Sequence, residues 1–187
     1  MTPLPQPMTS RERLLATLRG QEPDRVPVVP DVSNMMPCRY TGKPYWEVYV
    51  NNNPPMWRAH IALQQRFGYD MILSGDLGAS PDDPPAESRI ISTDEEQWVV
   101  EKTIHTAQGN LSTITAYPRA RSPWNIKPLI TDPEAEIPAL LATLTDPWRK
   151  STSHATEVRQ AVGDKGIIRV TVSVPLAWWL YARLHMD

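Results

Sequence analysis

The pattern of apolar and polar positions predicts a short amphipathic helix close to the start of the chain. Apolar positions recur with helical spacing over residues 9–19. Three leucines share one face of this helix: Leu14, Leu15 and Leu18. Thr9 and Glu12 have the spacing of a capping box at its start, and Gly20 is a natural left-handed stop after its end.

The same helical spacing recurs twice further along the chain. Pro54 and Pro55 suit the first turn of a helix, and Gly68 ends it. The apolar residues on one face of this helix are Met56, Ala59, Leu63 and Phe67. Residues 153–162 predict another helix, which Gly163 follows.

Apolar, β-branched runs predict three short strands of the core. These runs are residues 26–30, 71–74 and 167–173. Because helices separate them, we expect parallel pairing through right-handed crossovers. Residues 33–53 show no clean period and are interpreted as a long loop.

A different pattern in the middle of the chain predicts an antiparallel insertion. Residues 89–92, 97–105 and 111–117 have the composition of strands. The last two are joined by a short segment with Gly109 at the turn, as in a β-hairpin.

The charge balance limits the classes of partner. The 187 residues include 19 Lys and Arg and 21 Asp and Glu, so the net charge is −2, which excludes a strongly basic nucleic-acid binder. The hydrophobic share of 41% is ordinary for a globular protein with a substantial core. The uncharged stretch at residues 170–182 is too short to span a bilayer and contains Pro175, so no membrane span is predicted.

Cysteine and proline content narrow the picture further. The single cysteine, Cys38, cannot form an internal disulfide, so a cytoplasmic location is the simplest expectation. A buried thiol is a commoner role for it than a nucleophile. The 20 prolines favour many short elements over an all-helical bundle. The histidines lack the i, i+4 spacing of a helical metal pair, and none is assigned as a ligand.

Three motifs together carry a resemblance to a known family. The first is MTSRERLLATLRGQEPDRVPV, at residues 8–28; the second is FGYDMILSGD, at residues 67–76; the third is SVPLAWWLY, at residues 173–181. In this order they resemble the N-terminal part of the uroporphyrinogen decarboxylase superfamily, which also includes corrinoid-linked methyltransferases.

The resemblance implies an α/β fold, the N-terminal part of a (β/α)8 TIM barrel with an antiparallel β-hairpin insertion. Residues 1–187 would form a single partial domain, with a helical extension at 1–25 and the insertion at 88–118. Because a complete barrel needs about 250 residues, we expect this chain to be truncated.

The resemblance also implies site residues. Asp76 matches the active-site aspartate of the decarboxylases, whose carboxylate would stabilise the positive charge that develops on a protonated pyrrole. Tyr181 matches the catalytic tyrosine and would orient Asp76 or a substrate carboxylate. Arg39 is similar to the second of two substrate-binding arginines, although the spacing differs. The alternatives are a turn aspartate for Asp76 and a core aromatic for Tyr181.

Three hypotheses for function follow. The family activity is cofactor-free decarboxylation of uroporphyrinogen to coproporphyrinogen in haem biosynthesis, a carboxy-lyase reaction on a tetrapyrrole. The loop after the first predicted strand lacks the decarboxylases' arginine pair, which favours zinc- and corrinoid-dependent methyl transfer as an alternative. The third hypothesis is a non-catalytic fragment, and we expect the isolated chain to be inactive. The substrate and the oligomeric state, including a homodimer, stay open.

Overall fold

A computed structural model describes residues 7–75, 80–145 and 151–170. The helices described are α1 (Ser10–Leu18), α2 (Met35–Tyr40), α3 (Tyr45–Tyr49), α4 (Met56–Phe67), α5 (Pro133–Leu141) and α6 (Ser153–Val162). The strands described are β1 (Met71–Gly75), β2 (Ala86–Thr93), β3 (Gln97–Thr106), β4 (Gly109–Pro118), β5 (Trp124–Lys127) and β6 (Gly166–Val170). A 3₁₀ turn at Gly163–Lys165 joins α6 to β6.

The strands form two separate sheets, so the fold is mixed α/β. β1 and β6 pair in parallel, in register from Met71 with Gly166 to Gly75 with Val170. This confirms the predicted parallel pairing. The second sheet is antiparallel in the order β2-β3-β4-β5. The described residues form no closed barrel.

The first helix was predicted correctly in position but not in its buried face. Thr9 caps α1, and Glu12 completes the capping box. Leu18, however, is 68% exposed, whereas the side chain of Arg13 is buried. The predicted leucine stripe is therefore wrong at Leu18, because an ion-paired arginine occupies the protein-facing side.

The prediction of a strand at residues 26–30 is wrong. The segment forms no strand, and Val26 is 81% exposed. Within the described chain, its backbone bond to the start of β1 runs from the Asp70 N–H to the Val28 carbonyl, at 2.8 Å. Pro27 and Pro30 supply no N–H, so a continuous ladder cannot form here.

Residues 33–53 are not the long loop that was predicted. They contain α2 and α3, which lack the length of a clear helical period. Cys38, Tyr45 and Val48 form a buried cluster between them. Tertiary burial of these side chains, rather than local periodicity, stabilises the two short helices.

The helices around the parallel sheet agree better with the sequence pattern. α4 begins after Pro55 and ends at Gly68, whose φ of 69° is left-handed, as predicted. Phe67 was predicted to lie on the buried face of α4, and this prediction is wrong, because its side chain is 63% exposed. The core between α4, α6 and β1 comprises Ile61, Leu63, Tyr69, Met71, Leu73, Val158 and Val162.

The predicted antiparallel strands are confirmed, and their sheet has one strand more than predicted. β2, β3 and β4 pair in sequence, with Gly109 at the turn between the last two. β5 is a further strand that the sequence analysis did not identify. Trp46 of α3 stacks on Trp98 of β3, with ring centroids 5.7 Å apart, and so connects this sheet to the rest of the chain.

A buried ionic cluster attaches the N-terminal region to β1. Asp70 is fully buried and accepts hydrogen bonds from Arg13 at 2.5 Å and from Arg25 at 2.8 Å. Arg13 also bonds Asp24 at 2.6 Å. Through Arg25 and Val28, the cluster attaches residues 25–28 to the start of β1. Among the described helices, none has the length and apolar character needed to cross a membrane.

Candidate functional site

A cavity of about 600 Å³ lies at the carboxyl end of β1. Its walls include residues 29–34, the start of α4, the whole of β1, the start of α6 and Arg169 of β6. Volumes of roughly 300–1,000 Å³ are typical of small-molecule sites. The cavity is therefore of a size suited to a small-molecule ligand.

The position of the cavity follows from the parallel arrangement. Ser74 and Gly75 are the last residues of β1, and Trp57 and His154 lie in the first turns of α4 and α6. In α/β folds, a helix that leads into a parallel strand runs antiparallel to that strand, so the amino end of the helix lies on the same side of the sheet as the carboxyl end of the strand. Ligand sites of this fold class are found at that edge.

Arg169 supplies a positive charge to the cavity. It lies opposite Ser74 in the parallel register, and its guanidinium donates a hydrogen bond to Ser74 Oγ at 2.8 Å. Arg169 has no carboxylate partner among the described residues, unlike Arg13 and Arg25. Its remaining guanidinium donors can bind a carboxylate on a ligand.

His60 and Asn34 form a second polar group in the cavity wall. His60 Nε2 lies 3.0 Å from Asn34 Oδ1. His60 is half-buried, and this burial lowers its pKa below the ordinary value. The imidazole is therefore neutral at pH 7.

Cys38 lies behind the cavity wall in a buried environment. Its Sγ is 3.9 Å from the sulfur of Met56, which lines the cavity. Burial raises the pKa of Cys38 to about 11 and the pKa of neighbouring Tyr49 to about 12. A thiol with so high a pKa is a poor nucleophile at neutral pH, in agreement with the prediction of a buried structural cysteine.

The site residues named from the sequence have different relations to this cavity. Asp76 and Tyr181 lie outside the described residues, and Gly75, which precedes Asp76, lines the cavity. Arg39 lies on α2, is exposed and is not among the cavity-lining residues. Its substrate-binding role stays a prediction.

Sequence reasoning did not identify His60, Asn34 or Arg169 as site residues. The sequence could have indicated Arg169 as a site residue, because it is the one charged residue in the apolar run 167–173. No sequence pattern indicates His60 and Asn34, since they are 26 residues apart and only the fold brings them into contact.

Within the three described ranges, no three His, Cys, Asp or Glu side chains are placed so that they could hold a metal ion. Comparison with models of known protein families found no match. Comparisons with curated proteins and with solved structures likewise found no matching protein.

Proposed function

We propose that this chain is part of an enzyme of the uroporphyrinogen decarboxylase type, which binds a carboxylate-bearing tetrapyrrole in the cavity beside β1. The reaction is cofactor-free decarboxylation of acetate side chains. Asp76 stabilises the positive charge on the protonated pyrrole, and Tyr181 orients it. The observation that carries the proposal is a small-molecule cavity that holds Arg169 and extends to Gly75, the residue before Asp76.

Arg169 supports the choice of an anionic substrate. A planar guanidinium binds a carboxylate through two parallel hydrogen bonds, and this guanidinium has no acidic partner among the described residues. The Ser74 hydroxyl orients it from the neighbouring strand. Arg169 thus replaces the substrate anchor that Arg39 does not provide, since Arg39 does not line this cavity.

The experiment measures conversion of uroporphyrinogen by the enzyme that contains this chain, with products separated by chromatography after oxidation to porphyrins. We expect decarboxylation to be lost in Asp76→Asn and kept in Asp164→Asn, a matched change at an exposed position on the 3₁₀ turn. Equal turnover by Asp76→Asn and the parent would contradict the role of Asp76.

Binding is measured separately, because the isolated chain is expected to be inactive. Trp57 lines the cavity, so the tryptophan fluorescence of the chain should respond to uroporphyrin, the stable oxidised form of the substrate. Arg169→Gln should weaken binding about tenfold or more, since a charge-assisted hydrogen bond contributes roughly 1.5–3 kcal/mol. Arg159→Gln, on the exposed side of α6, is the control. Absence of binding by the parent chain would refute the proposal.

The position of Arg39 favours a second candidate, methyl transfer between a corrinoid and an acceptor with zinc as activator. With Arg39 outside the cavity wall, the paired arginines of a strict decarboxylase are not reproduced. Zinc content of the purified enzyme that contains this chain distinguishes the two: one zinc per molecule with no decarboxylation supports methyl transfer, and decarboxylation by metal-free enzyme excludes it.

A further inference from the structure

The contact between His60 and Asn34 has a definite direction. The Oδ1 atom of Asn34 is only an acceptor, so the His60 Nε2 atom that faces it at 3.0 Å must be the donor. A neutral imidazole carries one proton. With that proton on Nε2, Nδ1 has a free lone pair.

Asn34 also interacts with Tyr49. Hydrogen bonding from Asn34 lowers the pKa of Tyr49, against the larger effect of burial, which raises it. Tyr49 packs against the buried Cys38 cluster, so the partner of Asn34 is itself held in place.

We propose that His60 is a proton acceptor of the cavity and that Asn34 is the positioning residue that fixes it as the Nε2–H tautomer. The ligand is a small molecule with a carboxylate and a weakly acidic N–H or O–H group. In the proton transfer, the N–H or O–H bond of the ligand breaks and its electron pair stays on the ligand's nitrogen or oxygen atom. The proton forms a new N–H bond at Nδ1 of His60. The resulting imidazolium keeps its Nε2–H bond to Asn34.

The surroundings of His60 suit this role. The other titratable and charged side chains that line the cavity are Asp31, Tyr69, His154 and Arg169. Among the described residues, none of these four forms an ion pair or a hydrogen bond with the His60 ring, which bonds Asn34. Burial keeps the ring unprotonated at neutral pH, which a base requires.

The first experiment needs no ligand. Nitrogen-15 NMR of the full chain with labelled histidine distinguishes the two tautomers, and His60→Gln assigns the signal. We expect a neutral Nε2–H form for His60 and a mixture of tautomers in Asn34→Ala, with the pKa of His60 changed. His154→Gln, at another cavity-lining histidine, should leave the His60 signals unchanged. A predominant Nδ1–H form in the parent would overturn the proposal.

The second experiment adds pyrrole-3-acetate, a probe with one carboxylate and one ring N–H. We expect the Nδ1 signal of His60 to shift as the probe saturates the chain; saturation without a shift would overturn the proton-accepting role. This part rests on the proposed function, because it uses the same cavity. Failure of the probe to bind, seen as unchanged tryptophan fluorescence, would refute the carboxylate-binding function and the ligand step together. The tautomer result decides the Asn34 part independently.

Discussion

The guanidinium of Arg13 donates a hydrogen bond to the fully buried carboxylate of Asp70 at 2.5 Å, although 57 residues separate them in the chain. Asp70 directly precedes β1, and it also accepts from Arg25 and from the Val28 N–H at 2.9 Å. This one carboxylate therefore fixes α1 and residues 25–28 to the start of β1. Residues 29–34, which follow that segment, are thereby positioned as a wall of the cavity.

Removal of the Asp70 charge should destabilise the whole fold. Asp70→Asn leaves the buried guanidinium of Arg13 with a single carboxylate partner, and breaking a buried pair costs about 3–5 kcal/mol. Urea unfolding of both proteins measures the change in free energy of unfolding. Glu101→Gln is the control, because the Arg89–Glu101 pair lies at the surface and should contribute less than about 1 kcal/mol. Equal losses in the two variants would contradict this stabilising role of Asp70.

Stability should fall in acid because of Asp24. Hydrogen bonding from Arg13 lowers the pKa of Asp24 from 3.8 to about 2. A carboxylate with a lowered folded-state pKa contributes stability above its unfolded pKa and loses it as the pH falls through the folded value. The urea midpoint should therefore decrease between about pH 4 and pH 2. Asp24→Asn should flatten this decrease, and Asp164→Asn should not; identical pH profiles for all three proteins would contradict the assignment.

Cys38 should be unreactive in the folded chain. Its thiol is fully buried, and this burial raises its pKa to about 11, so little thiolate exists near pH 8. Alkylation by iodoacetamide, followed by mass spectrometry, should be slow in native buffer and rapid in urea at the same pH. Met56→Ala, which removes the side chain beside Sγ, should accelerate native labelling. Rapid labelling of the folded parent would contradict the buried position.

Gly166 should tolerate no side chain. A Cβ atom at this position would lie within van der Waals radii of the Met71 carbonyl oxygen across the β1–β6 pair, so the backbones would have to separate. Gly166→Ala should lower the free energy of unfolding by about 1–3 kcal/mol. Gly75→Ala is the matched control at the other end of the pair. There the nearest atom is a methyl of Ile168 at 3.0 Å, which can move, and a larger loss at Gly75 would contradict this explanation.

The elements predicted correctly from the sequence are those specified by neighbouring residues. The capping box of α1 closes within four residues, from Thr9 to Glu12, and the αL stop of α4 needs only Gly68. The turn between β3 and β4 depends on Gly109 and on alternation along the two strands beside it. The parallel pairing of β1 and β6 was expected from two apolar runs with helical segments between them, although β2–β5 also lie between the two strands in the chain.

The tertiary structure alone decided which side chains are buried and which meet in the cavity. Arg13 is a buried side chain because Asp24 and Asp70 compensate its charge. The helical period of α1 cannot predict this burial, since both partners lie outside the helix. Asn34, His60 and Arg169 come from a loop, a helix and a strand, and their local patterns do not connect them. Local physics thus determined the elements, whereas the pairing of charges and the assembly of the cavity required distant segments to pack together.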